Sequence, residues 1–143
     1  MPQKLLARMQ LVQNTAARLI CRVKKRDHIS PSLQSLHWLP VVFRPRFKIL
    51  CLVFRALNGV APRYISELIN RYHPKRSLRS ENKNLLCVPS SRTVTYGHRL
   101  LTAAAATLWN ELPQEIREAQ DLTTFKGLLK TYYFRCAYAS ENL

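Results

Sequence analysis

The side chains best equipped for chemistry in this sequence are cations, and they come in two clusters. The first is Arg22, Lys24, Lys25 and Arg26, one helical turn beyond Arg18. The second gathers Arg71, His73, Lys75, Arg76 and Arg79 around Tyr72, with Arg92 and Arg99 bracketing Tyr96 further on. A guanidinium is a planar fork that donates two hydrogen bonds to one phosphate. A tyrosine set among cations offers a face on which an unpaired base can stack. The pattern points to the phosphate backbone of RNA or DNA, with single strands the natural ligand of the tyrosines. The plainer reading is solvated loop charge, placed in the first cluster to suit the negative end of a helix dipole. The expected binding set is Arg18, Arg22, Lys24, Lys25, Arg26, Arg71, Tyr72, Lys75, Arg76, Arg79, Arg92, Tyr96 and Arg99.

Other chemistries lack their residues. Two-metal polymerases and nucleases need several converging carboxylates, whereas the aspartates here are Asp27 and Asp121. Glu111, Glu115 and Glu118 recur at helical spacing and read as a solvated face. Zinc needs close pairs of Cys or His; Cys21, Cys51, Cys87 and Cys136 stand far apart, and His28, His37, His73 and His98 are solitary. Three glycines cannot form a phosphate-cradling loop, and Ser90 and Ser91 have no histidine beside them to act as base. We expect no catalytic set, no metal and no cofactor.

Charge is the dominant compositional feature: 23 Lys and Arg against 8 Asp and Glu, a formal net charge of +15. Residues 1–59 hold eleven basic and one acidic side chain, residues 60–99 eight and two, and residues 100–143 four and five. A cationic first two-thirds beside a neutral last third favours a polyanionic partner, nucleic acid before membrane. At 47% hydrophobic residues the chain can bury a core. No apolar run approaches the roughly 18 residues that cross a bilayer, and Lys4 and Arg8 interrupt any secretory signal. Separated cysteines without such a signal read as free thiols of the nucleus or cytoplasm. The first 26 residues, basic and free of acids, share the composition of a mitochondrial transit peptide, but they are poor in serine and their apolar stripe reads as part of the fold.

The elements that position these residues are helices. Leu5, Met9, Val12, Ala16, Leu19 and Val23 recur at steps of four and three, which predicts a helix over 4–26 with one apolar face free to dock and basic side chains beside it. Ser30 and Pro31 predict a capped short helix through Leu36, closed before Pro40. A helix over 45–57, apolar on nearly every side, is expected at the centre of the core and ends at Asn58-Gly59. Pro62 opens a helix to about Tyr72 carrying Ile65, Leu68 and Ile69. Residues 73–98 read as a long basic loop or short hairpin. Helices follow from Arg99 to near Pro113, over Gln114–Ala119, and from the cap Asp121 onward with Leu122, Phe125, Leu128, Leu129, Tyr132 and Cys136 on one face. Trp38 and Trp109, each just before a proline stop, are expected as core anchors, with Pro40, Gly59 and Pro113 as structural punctuation. The fold class is therefore mainly α: a small bundle of about five to six helices in a single domain, 1–143, made of a basic helical half (1–72), the basic loop (73–98) and C-terminal helices (99–143).

Several strings belong together: VQNTAARLI at 12–20, LHWLPV at 36–41, RFKILCLVFRALNGVAPRYI at 46–65, RSLRS at 76–80, VPSSRTVTYGHR at 88–99, LWNELPQEIR at 108–117 and FKGLLKTYYF at 125–134. In this order they resemble the region that follows the reverse-transcriptase domain in jockey-like, LINE-type (non-LTR) retrotransposon polyproteins. Pro45 departs from the family's usual aliphatic residue and is expected to shorten the third helix; Ala106 replaces a proline and should lengthen a later one. The resemblance implies an RNA-directed DNA polymerase polyprotein whose polymerase and endonuclease residues are absent from this chain. The expected function is a non-catalytic nucleic-acid-binding accessory module with RNA or DNA, and a reverse-transcriptase domain, as partners. The alternatives are a protein-interaction scaffold docking through the first helix onto the polymerase or another subunit, and a degenerate retroelement reading frame without selected function.

Overall fold

The computed structural model describes residues 3–74, 83–89 and 98–138, the side chains of 98–100 excepted. The described residues are mainly helical, with seven helices where five or six are expected: α1 (Gln3–Cys21), α2 (Ser30–Ser35), α3 (Phe43–Leu57), α4 (Arg63–Ser66), α5 (His98–Asn110), α6 (Gln114–Arg117) and α7 (Leu122–Tyr138). Among the described residues the only β pairing is an isolated antiparallel bridge between Arg71 and Leu86. The chain divides into two compact units, one formed by 1–47 with 130–143 and the other by 48–129.

In the first unit, α1 stops five residues before the expected Arg26. Arg22 adopts a left-handed conformation (φ 52°) and the Val23 N–H reaches back to the Arg18 carbonyl at 3.1 Å, a six-residue helix-ending loop. Helix α2 ends the same way at His37 (φ 53°), with the Trp38 N–H donating to the Leu33 carbonyl at 2.8 Å. Ser30 does not cap it: the serine lies inside the helix, Ile29 precedes it, and no side chain bonds the first turn. Ala17, Leu33 and Tyr138 form a buried cluster with Trp38, Leu36 and Phe134 packed against it, and the Tyr138 hydroxyl donates to the Trp38 carbonyl. Trp38 is thus the half-buried anchor of this unit.

The face that α1 turns inward is not the apolar one. Gln13 and Ala17 are buried, while Leu5, Met9, Val12 and Leu19 are exposed by 43%, 44%, 71% and 77%. The reason is polar. Gln13 donates to the Leu39 carbonyl at 3.0 Å, Gln10 accepts from the Val41 N–H at 2.8 Å, and Gln10 also donates to Gln13 and Asn14. These amides satisfy the backbone on either side of Pro40, which would otherwise be left unpaired. The stripe expected to be part of the fold therefore faces solvent.

Helix α3 begins two residues ahead of Pro45, so the proline does not shorten it. In a first turn the missing N–H has no intrahelical partner to lose. Nor is α3 buried all round: Leu50, Val53 and Phe54 are buried, whereas Arg44, Arg46, Lys48, Leu52 and Arg55 are exposed. Its end at Gly59 (φ 70°) is a third use of the six-residue loop, the Val60 N–H meeting the Arg55 carbonyl at 2.9 Å.

The second unit is centred on aromatics. Phe125, fully buried, stacks on Phe54 (centroids 4.4 Å, 22°) and on Trp109 (5.8 Å, 25°). The helix expected to run to Tyr72 is only α4; beyond it the chain extends so that the Tyr72 N–H meets the Leu85 carbonyl and the Cys87 N–H meets the Asn70 carbonyl, both at 2.9 Å. Ile65, Leu68 and Ile69 still share one side, where they line an apolar pocket with Ile49 and Val53. Asn110 holds Leu86 as a neighbouring strand would, donating to its carbonyl and accepting from its N–H at 2.9 Å each. The Pro113 carbonyl opens α6 by accepting from Ile116 at 3.1 Å. Asp121 caps α7 as expected, bonding the Thr123 and Thr124 N–H groups at 2.8 Å and the Thr124 hydroxyl at 2.6 Å. The Thr124 side chain and backbone hold its carboxyl below the usual carboxylate range. The buried residues of α7 are Phe125, Leu129, Tyr133 and Tyr138; Leu128 and Cys136 of the expected face are exposed.

Candidate nucleic-acid interface

The first basic cluster occupies the turn that closes α1, in the first unit. Arg18, half-buried, folds its guanidinium back onto this turn: Nη1 donates to the Lys24 carbonyl and Nη2 to the Asp27 carbonyl at 2.9 Å. The Lys24 N–H donates to Asp27 Oδ2 at 3.2 Å and the Asp27 N–H to the Lys24 carbonyl at 3.1 Å. Arg18 therefore fixes the backbone that carries the others. Arg22, Lys24, Lys25 and Arg26 are exposed, and among the described residues the one ion pair is elsewhere, between Arg63 and Glu67 at 2.7 Å. Four cations project from one tied-down turn with no carboxylate neutralising their side chains.

Of the second cluster the structure describes three side chains, those of Arg71, Tyr72 and His73, all exposed and all in the second unit. Arg71 donates through Nη1 to Asn84 Oδ1 and through Nη2 to the Leu57 carbonyl, each at 3.3 Å, which spans the two ends of the loop that holds it. Tyr72 is 37% exposed. Lys75, Arg76, Arg79, Arg92 and Tyr96 lie outside the described residues, as does the side chain of Arg99, whose backbone is in α5.

A cleft in the second unit, with about 410 Å³ of empty volume, brings Arg71 together with residues that sequence reasoning missed: Arg117, Asn84 and Asn58, beside Trp109 and Glu118. Arg117 is only 8% exposed. Its Nη1 makes a long 3.4 Å contact to the Asn110 carbonyl, and its Nε is buried without a partner. Burial pulls its pKa below the ordinary value, and the nearby Glu118 carboxylate opposes that shift. Asn84 sits in a left-handed conformation (φ 49°), its carbonyl accepting from Trp109 Nε1 at 2.8 Å. The available sequence signal was a lone cation, Arg117, between Glu115 and Glu118 just after a proline-opened turn.

Among the described residues no group of three or more His, Cys, Asp or Glu is placed to hold a metal ion. Among the described residues no helix is long and apolar enough to cross a membrane. The four cysteines are free thiols; burial raises the pKa of Cys51 despite the opposing charges of Lys126 and Arg55. Compared with family models, with curated proteins and with solved structures, the chain matches none.

Proposed function

We propose that this chain is a non-catalytic nucleic-acid-binding module, an accessory to a reverse transcriptase of the kind its sequence resembles. The observation that supports this reading is the turn 22–26, where four exposed cations are presented on a backbone pinned by Arg18. Pinning removes part of the entropic cost of ordering the turn against a phosphate backbone. The deciding experiment is binding of the purified chain to single-stranded RNA, single-stranded DNA and duplex DNA over a salt series. Contacts to six to eight phosphates give a slope of log affinity against log salt of roughly −4 to −7. A slope near zero, or affinity no tighter than that of an unrelated protein of equal charge, would remove the reading.

A second reading, docking, is favoured by the outward stripe of α1. Leu5, Met9, Val12 and Leu19, joined by Leu11 at 65% and Ile20 at 58% exposed, form an apolar surface along a 19-residue helix. Soluble proteins seldom leave such a surface uncovered. Lys4, Arg8 and Arg18 lie on the same helix and it carries no acid, so a second copy would bring like charge. The complementary occupant is a groove with an apolar floor and a carboxylate rim on a reverse-transcriptase domain. Leu19→Ala is expected to weaken binding to such a domain about tenfold, in keeping with the loss of one buried aliphatic side chain, while leaving the melting temperature of the free chain unchanged. Equal binding by variant and parent would count against docking through this face.

A further inference from the structure

We propose that the cleft between Arg71 and Arg117 is a binding site for a phosphate-type oxyanion. Arg117 carries the argument. A guanidinium buried to this degree ordinarily meets a carboxylate or a full set of carbonyls, because an unpaired buried charge is costly. Among the described residues Arg117 has neither: its contact is the long one to the Asn110 carbonyl, Nε has no partner, and no carboxylate reaches ion-pair distance.

The rest of the cleft adds donors beside the Arg117 guanidinium. Arg71 faces the same space and engages only Nη1 and Nη2, each through a single 3.3 Å bond, so that further N–H groups of its fork remain to donate. Asn84 gives its side-chain oxygen to Arg71, which leaves its NH₂ as a donor, and its backbone is fixed by the Trp109 indole. Glu118 is the one carboxylate among the described lining residues; it is exposed and accepts from Gln114 Nε2 at 2.6 Å. Two guanidiniums against one carboxylate leave the cleft with a net positive charge. With donors contributed from three separate segments, a tetrahedral anion can bond more of them than a planar carboxylate can. The cleft opens to solvent, so an ester substituent on a bound phosphate can extend outward. That phosphate comes either free, as inorganic phosphate or a mononucleotide, or as one unit of a nucleic-acid backbone.

The site shares no residue with the basic turn and does not depend on the nucleic-acid reading. The test is a thermal melt of the full chain in inorganic phosphate, with sodium chloride and sodium acetate at the same ionic strength as controls. Phosphate is expected to raise the melting temperature with the logarithm of its concentration, by about 3 °C near tenfold excess over its dissociation constant, and the controls are not. Arg71→Gln, a change at an exposed side chain, is expected to remove the phosphate shift; Arg117→Gln should do the same where it folds. Equal melting in phosphate and chloride, an equal shift in acetate, or an undiminished shift in Arg71→Gln would each overturn the proposal. Competition then separates the sources. Displacement of a single-stranded oligonucleotide by phosphate, together with weaker oligonucleotide binding by Arg71→Gln, assigns the backbone; phosphate binding without effect on the oligonucleotide assigns a free phosphate.

Discussion

Phe125→Ala is expected to destabilise the second unit by about 3–5 kcal/mol, the range for removing a large aromatic from a closed core. Phe125 has no exposed surface, and its ring lies between those of Phe54 and Trp109 at 4.4 and 5.8 Å. Deleting it forfeits the transfer energy of the ring, both aromatic contacts and the packing of the cavity left behind. Against a total stability of about 5–15 kcal/mol for a domain of ordinary size, that is a large fraction. Each unit contains one tryptophan, Trp38 in the first and Trp109 in the second, so fluorescence can report on them separately once the other is replaced by phenylalanine. In a Trp38→Phe background the Trp109 transition in urea is expected to move to much lower denaturant in Phe125→Ala. Phe125→Leu, which refills part of the space, should recover more than half of the loss. A Phe125→Ala midpoint close to that of the parent would mean that this ring is not the centre of the unit.

The positions of the helices were readable because their punctuation is local. Asn58-Gly59 closes α3, Pro113 opens α6 and Asp121 caps α7, each through bonds within a few residues of the signal. What escaped was the direction in which a helix faces. Spacing assigns Leu5, Met9, Val12 and Leu19 to one side of α1 but cannot say that Gln10 and Gln13 will turn the opposite side inward to serve Leu39 and Val41, some 26 to 31 positions away. The same blindness covers α7, where Tyr133 rather than Tyr132 is buried against Phe43 at 5.1 Å. Arg117 escaped for a related reason. It shares its cleft with Phe54, Leu57, Asn58, Arg71 and Asn84, all distant in sequence, and nothing within its own turn distinguishes it from a surface cation. The basic turn lies between these cases: its charges are local and legible, but the role of Arg18 as its brace depends on a chain reversal through Arg22, a residue type that seldom marks one.

That brace allows the charge of the turn to be varied without its shape. Replacing Arg22, Lys24, Lys25 and Arg26 together by glutamine keeps the backbone acceptors that Arg18 uses, since they are the carbonyls of residues 24 and 27. The fold should therefore survive with unchanged circular dichroism and melting temperature. If all four cations contact phosphates, the slope of log affinity against log salt becomes shallower by about 3, and affinity near 0.15 M salt falls by about 10²–10³-fold. The control is an equal loss of charge on α3, with Arg44, Arg46, Lys48 and Arg55 changed to glutamine; all four are exposed there as well. A local interface predicts that the α3 variant retains most of the affinity and the turn variant does not. Equal losses in the two would show that nucleic acid responds to net charge alone, in which case the turn is a solvated helix end whose cations serve the α1 dipole. The slope separates these accounts more sharply than the affinity does, because counterion release counts the phosphates in contact whereas a diffuse field is screened without a fixed stoichiometry.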